Sequence, residues 1–465
     1  MTNEPTIRSV ISRQLEGKGY SLHSFSHRSG INRGTLSAIL NGNPPKPISI
    51  GQLDLITEAL EQPIGRYYPL YIEECIDSGH PNRRRLKSFM LRCAEIGELA
   101  CIEQVLSRLA EDLSYLPMIF AIGEELYEEG RREAARLFYQ SVCEYEKYQH
   151  SERLAISQYR LFRMNLGDDA ESNLRSATWF EPYRNRLPED LQLDGLLHLA
   201  NAYYTLQKWS YVVRFAEELQ TLARRIYETS RKTASANPYH ELHCERHLVV
   251  YYGQGYLLKG SALEHQGRYG EALACVAEYA DLSWFEGLNE TGWKEVGKFK
   301  VWARANRYNL EILNGNEAIL PEYIDFLKEH PYEVLPSLRI IVEAANLNGF
   351  LIDDVLKEFP VNTDLYNQFP NYYVSAVNKD RYLDLNYQLA MYLLREQKIA
   401  EGLEKLIYAL KYAVAQKNKE FFMKMVPMFE QYRSFVSSEQ LKEYEILMGE
   451  VLKGAEMDLG THADH

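Results

Sequence analysis

The side chains of this sequence that could do chemistry are amides, hydroxyls and guanidiniums rather than nucleophiles. Arg304, Asn306, Arg307 and Asn309 fall in A-R-A-N-R-Y-N-L (Ala303 to Leu310), and Asn386 and Gln388 in D-L-N-Y-Q-L (Asp384 to Leu389). Asn201, Tyr204 and Gln254 occupy similar runs, with Glu124, Tyr127, Ser261 and Glu264 at related helical positions. Asparagine is a poor helix-interior residue, so its repeated use on helices built for packing asks for an explanation. A carboxamide offers a donor and an acceptor, the pair needed to clamp a peptide main chain whatever its side chains are. No Gly-rich phosphate loop, nucleophile elbow or paired-carboxylate signature is present, so neither an enzyme nor a cofactor is expected. His240, His243, Cys244 and His247 lie in H-E-L-H-C-E-R-H, where His243 and His247 at i, i+4 on a helix could hold a metal. The spacing is not H-E-x-x-H and the segment follows the polar loop Ser230 to Pro238. A solvated, histidine-rich helix start is therefore preferred, and no metal site is expected.

A second constellation lies near the N-terminus, in S-L-H-S-F-S-H-R-S-G-I-N-R-G-T-L-S-A-I-L-N-G (Ser21 to Gly42). Ser21 can cap a first helix whose Leu22 and Phe25 share a face. Gly30 supplies a left-handed turn, and Ile31 returns to the core. Leu36, Ile39 and Leu40 then bury one side of a second helix, leaving Arg33, Gly34 and Ser37 directed elsewhere. Ile7, Val10, Ile11 and Leu15 predict an amphipathic helix before this pair. Ile50, Leu53, Leu55, Ile56 and Leu60 predict another after the Pro-rich loop Asn43 to Pro47. Over about residues 5 to 62 the chain resembles the phage-repressor (Cro/C1, or XRE) type of helix-turn-helix domain, with S-G-I-x-x-G-T-L-S-x-I-L-N-G the most specific run. The resemblance implies that the second helix enters the DNA major groove. It places Asn32, Arg33, Thr35 and Ser37 on the base side and His23 and Asn41 on phosphate. Gly34 stands where relatives often carry a reading side chain, which shifts base discrimination onto Arg33.

The first 65 residues hold six Lys/Arg against five Asp/Glu, whereas the whole chain of 465 residues carries a net charge of −13. One nearly neutral head binds DNA weakly through phosphate alone, which favours two heads on a palindromic site. No stretch of about 18 apolar residues exists and no signal-peptide layout begins the chain, so a cytoplasmic protein without a membrane segment is expected. The six cysteines, Cys75, Cys93, Cys101, Cys143, Cys244 and Cys275, lack C-x-x-C spacing and read as buried thiols.

Behind the head, residues 66–84 read as a linker; its Arg83, Arg84, Arg85 and Lys87 suit either a phosphate contact or a solvated face. Gly97, Gly130 and Gly167, then Gly267, Gly315 and Gly349, punctuate the remainder at intervals suited to a helical-hairpin solenoid. The units beginning at Gly123, Leu199 and Lys259 place Gly123, Ala200 and Gly260 where paired helices cross. They resemble the tetratricopeptide repeat, and further hairpins are expected at about 153–180, 300–328, 338–359, 384–416 and 420–452. The fold class is all-α: a helix-turn-helix domain over 1–65, a tetratricopeptide-like right-handed solenoid over 85–454, and a frayed tail over 455–465. Asn201 also fits the repeat consensus, so a packing role and a ligand role both stand.

A phage-repressor-type head followed by tetratricopeptide repeats resembles the peptide-pheromone receptors of Gram-positive bacteria known as RRNPP regulators. The resemblance implies a cytoplasmic homodimer that binds double-stranded DNA at a palindromic operator. A short re-imported signalling peptide would enter the concave groove of the repeats and alter the spacing of the heads. The alternative is a DNA-binding regulator whose repeats dock a cytoplasmic protein instead of a free peptide.

Overall fold

The computed structural model describes residues 5–76, 82–109, 112–148, 151–167, 169–232, 243–361, 375–415 and 418–461, and among these no strand is found. The chain divides into two compact units, the first comprising Met1–Lys208 with Glu241–Glu245 and the second Trp209–His240 with Arg246–His465. One boundary falls in the turn of the hairpin read from Leu199, so a repeat that is continuous in sequence supplies one helix to each unit.

In the first unit, α1 (Ile7–Gly17), α2 (Leu22–Ser29), α3 (Arg33–Asn41) and α4 (Ile50–Ala59) form the N-terminal group. Ser21 and Ser24 make a reciprocal capping box on α2, and Ser49 and Gln52 make another on α4. Gly30 closes α2 in the left-handed conformation at φ 68°, which an L side chain rarely adopts. Ile7, Ile11, Leu15, Phe25, Leu36, Ile39, Leu53 and Ile56 are buried together. Leu55, expected in this core, is instead 44% exposed. It lies two residues after Leu53 and one before Ile56, so the helical turn carries it off the buried face.

The segment expected to be a linker is structured. It holds α5 (Tyr68–Ile76), whose Tyr68, Tyr71, Ile72 and Cys75 are buried against Phe89 of α6 (Arg83–Ile96). One hydrophobic cluster accordingly runs from Ile7 to Val142. Aromatic residues placed at helical spacing bury too much apolar area to remain a solvated connector. Hairpins follow: α6 with α7 (Leu99–Leu109), α8 (Leu116–Glu128) with α9 (Arg132–Tyr145), and α10 (Glu152–Asn165) with α11 (Ala170–Phe180). α12 (Glu189–Thr205) ends this series. A Cβ on Gly123 would lie 3.1 Å from that of Phe138, so the missing side chain lets α8 and α9 approach.

The second unit opens with α13 (Trp209–Lys232), which packs along α14 (Leu248–His265). Next come α15 (Tyr269–Tyr279), α16 (Glu290–Leu313), α17 (Leu320–Glu329), α18 (Val334–Asn348) and the short α19 (Asp353–Glu358). α20 (Ser375–Arg395), α21 (Ile399–Ala415), α22 (Lys419–Gln431) and α23 (Ser438–Thr461) complete it. The first helices of successive pairs also pack on one another, α14 on α16, α16 on α18 and α18 on α20. The tail expected to be frayed after Gly454 continues α23 to Thr461, since Ala455 to Leu459 contains nothing that breaks a helix.

Candidate functional site

Two sets of polar side chains bear on function. The first surrounds the start of α3. Three of the basic residues in the head hold the protein together: Arg8 bridges Glu74 at 2.7 Å and donates to the Ile39 carbonyl at 2.9 Å. Lys18 and Arg28 both engage Glu61 and donate to the carbonyls of Leu60 and Ala59 at the end of α4, each at 2.7 Å. Cations there complement the negative end of the helix dipole. Together they hold the Glu61 carboxyl below its usual range, the Lys18 hydrogen bond being the largest cause.

Arg33 is different. It is the first residue of α3, it is exposed, and it makes no hydrogen bond or ion pair with the described residues. No acidic residue occupies the first turn of α3 to offset it. A cation at the positive end of a helix is electrostatically unfavourable until an anion arrives.

The neighbours of Arg33 divide. Asn32, expected at the base edges, is the N-cap: its Oδ1 accepts the Gly34 N–H at 2.8 Å, so the carboxamide oxygen is already engaged. Thr35 and Ser37 are half-buried, two and four residues after Arg33, and Asn41 is exposed at the far end of the helix. His23 is exposed on α2, its ring edge-on to His27 at 4.8 Å. In the basic run, Arg83 donates to the Ser114 carbonyl and lies over Tyr115, Arg85 donates to the Glu74 carbonyl, and Lys87 pairs with Glu125. Arg84 remains, exposed and without a protein partner among the described residues. It shares a groove of about 740 Å³ with Arg8, Pro45 and Ser49.

The second set lies on the helical hairpins, where the structure corrects several expectations. Asn306 donates to the Tyr279 hydroxyl at 2.8 Å, and Asn309 accepts from the Tyr323 hydroxyl at 2.5 Å. These asparagines of α16 are thus matched to tyrosines of α15 and α17, which accounts for both residue types without a ligand. Arg307 pairs with Glu322 at 3.0 Å, and Arg304 lies over the Phe326 ring with Glu329 at 3.7 Å. Gln388 Oε1 accepts from Asn346 at 3.1 Å. Asn386 is 1% exposed and lines a pocket beside α21 rather than the surface it was expected to share with Gln388. In the first unit, Glu124 holds Arg160 through both carboxylate oxygens at 3.1 and 2.9 Å, and Arg160 covers the Tyr127 ring. Asn201 is exposed and Gln254 half-buried, and neither makes a hydrogen bond with the described residues. Tyr204 and Ser261 are half-buried.

Sequence reading missed the charged ridge that the inner helices of the second unit assemble. Arg339 of α18 bonds Glu343 at 3.0 Å and Asp384 of α20 at 2.8 Å, with Asn346 and Gln388 a turn further on. Glu264 of α14 faces the same guanidinium. Burial pushes its carboxyl up to about 7, the Arg339 charge opposing and the Glu343 charge reinforcing the shift. Burial likewise raises Glu343. Glu264 and Glu343 are thus both shifted towards the neutral form, and Lys424 also acts on Asp384, so the ridge carries charges of both signs. The one local signal was the i, i+4 spacing of Arg339 and Glu343; Asp384 is 45 residues away.

The described part of the histidine segment, His243 to His247, is not helical. His243 lies outside any helix, His247 is the N-cap of α14, its Nδ1 accepting the Val249 N–H, and His240 lies outside the described residues. Among the described residues no cluster of three metal-ligating side chains occurs, and no helix is long and apolar enough to cross a membrane.

No family model matches the chain, and no curated protein matches it. Among solved structures it is similar to a "Circular tandem repeat protein with novel repeat topology and enhanced subunit contact surfaces", at 13% identity over 96% of this chain and 90% of that chain. The TM-score is 0.15, too low to indicate a shared fold.

Proposed function

We propose that this protein is a peptide-responsive transcriptional regulator of the RRNPP type, active in the cytoplasm as a homodimer. Helices α2 and α3 act as a helix-turn-helix that reads double-stranded DNA, with Arg33 as the principal base-reading side chain. The remaining hairpins form a tetratricopeptide-type right-handed solenoid that binds a short signalling peptide.

The observation that carries this reading is Arg33 itself: a cation at the positive end of α3, exposed, unneutralised, and preceded by the capped helix and left-handed Gly30 turn that such a head requires. DNA supplies the missing anion as phosphate and the acceptors of guanine as base edges. For the peptide, support comes from the amides of Asn201 and Gln254, which have no partner among the described residues, and from the charged ridge around Arg339. A two-headed dimer couples the sites: changing head separation changes the fit to half-sites fixed by helical pitch. To move operator occupancy from nearly off to nearly on, the peptide must prefer one state by about 5.5 kcal/mol.

The test is a gel-shift titration on the DNA immediately upstream of this protein's own gene, with and without the short-peptide fraction of spent medium. A shift that the fraction strengthens or abolishes supports the reading. A shift indifferent to the fraction supports a protein partner on the hairpins, and no shift on any upstream fragment removes the DNA-binding reading.

A further inference from the structure

Asn386 is costly where it stands. It lies on α20 among Tyr382, Leu383 and Leu385, is 1% exposed, and its Nδ2 donates to the Tyr382 carbonyl one turn back. That carbonyl belongs to a helix whose own ladder already supplies it with a donor, so the bond adds little. The Oδ1 is buried and has no hydrogen-bond partner among the described residues. A leucine, similarly branched, would strand no acceptor; the amide's contact with the Tyr382 side chain involves its donor and leaves the Oδ1 unanswered.

The stranded amide lines a pocket of about 430 Å³ bounded by α20, α21 and α23. Ile407, Val361 and the rings of Tyr382 and Tyr408, 6.2 Å apart and edge to face, form an apolar wall. Lys405 is half-buried in the lining, and among the described residues its ammonium bonds only the Val361 carbonyl, at 3.4 Å. Lys411 is neutralised by Glu443, while Glu404 is exposed at the mouth. Among the described residues the lining therefore presents an acceptor without a donor, a cation that pairs with neither carboxylate of the lining, and an aliphatic and aromatic surface beside them.

A group that answers all three carries an N–H, a carboxylate close to it and an apolar substituent. We infer that this pocket binds the carboxyl-terminal residue of a short peptide, the main-chain N–H donating to Asn386 Oδ1, the terminal carboxylate pairing with Lys405, and an aliphatic side chain lying against Ile407 and Tyr408. This deepens the peptide reading above and rests on it, but it assigns the terminus to a site separate from the Arg339 ridge.

The test uses the full-length protein and two probes, N-acetyl-leucine and N-acetyl-leucinamide, observed by saturation-transfer NMR. Wild type should saturate the acid about fivefold more strongly than the amide, since a half-buried charge pair contributes about that factor. Lys405→Met should bring the acid down to the level of the amide, and Asn386→Leu should weaken both probes alike. Asn386→Leu should melt no lower than wild type; a clearly lower melting temperature would make the amide structural and overturn its assigned role. Equal signals from the two probes, or acid signals unchanged in Lys405→Met, would overturn the carboxylate site. Acid-selective binding combined with a gel shift indifferent to peptides would keep the pocket while removing peptide control of DNA binding, so the two failures are distinguishable.

Discussion

At the scale of single residues, the contrast between Arg33 and its neighbours organises the head. Lys18 and Arg28 close the end of one helix, whereas Arg33 opens another with nothing to neutralise it. Arg33→Ala should weaken operator binding by about 1–3 kcal/mol and relax preference at one base position, measured by fluorescence anisotropy on single-base operator variants. Unchanged affinity would remove α3 from the groove. Glu264 makes a second residue-scale case. Its carboxyl titrates near 7 in the fold against 4.5 unfolded, so the fold favours the protonated form. That contribution is present below the unfolded value and is lost as pH rises from 4.5 through 7. Glu264→Gln should therefore stabilise the protein by about 1–3 kcal/mol at pH 8 and leave it unchanged at pH 4, read from thermal melts at both values. Equal effects at the two pH values would show that the side chain is solvated.

At the scale of elements, the helices are held by small residues where backbones meet and by tyrosines where they do not. Gly255 is the tightest such place between α13 and α14: a Cβ would lie 2.6 Å from Gln220 Cγ and 3.2 Å from both the Ala216 carbonyl oxygen and the Gln220 nitrogen. Backbone atoms of a buried helix cannot swing aside, so Gly255→Ala should cost about 1–3 kcal/mol in a denaturant titration. A neutral result would mean that the two helices separate without penalty. The Asn–Tyr pairs of α16 belong to this scale too. Because Asn306 is bonded to Tyr279 and Asn201 to nothing described, the two should part company on substitution. Asn306→Ala should lower the melting temperature with the peptide response intact; Asn201→Ala should weaken the response with melting unchanged. The reverse pattern would return Asn201 to the packing role its repeat consensus allows.

At the scale of the whole molecule, the proposal is a spacing device. Two heads bound to one palindrome must match half-sites about one helical turn apart, or a multiple of it. Inserting five base pairs between the half-sites should abolish high-affinity binding and inserting ten should restore most of it, measured by gel shift with the purified protein. Equal affinity for all three operators would mean that each head binds alone.

The sequence alone determined the helical class of the chain, several hairpin positions, and the two short helices that meet at Gly30, because each rests on local spacing and on single residues with special backbone freedom. The pairs at 153–180 and 420–452 were legible for that reason, and Gly123 was legible as a crossing point. The sequence did not reveal that α5 packs where a linker was expected, that Asn32 caps α3, or that Asn306 and Asn309 are answered by tyrosines from neighbouring helices. Nor could it assemble Glu264, Arg339 and Asp384, or strand the Oδ1 of Asn386 in a pocket. A hydrogen bond is set by distances of about 3 Å between groups far apart in the chain, and helical phase fixes which way a side chain faces but not what it meets. That meeting was decided by tertiary packing.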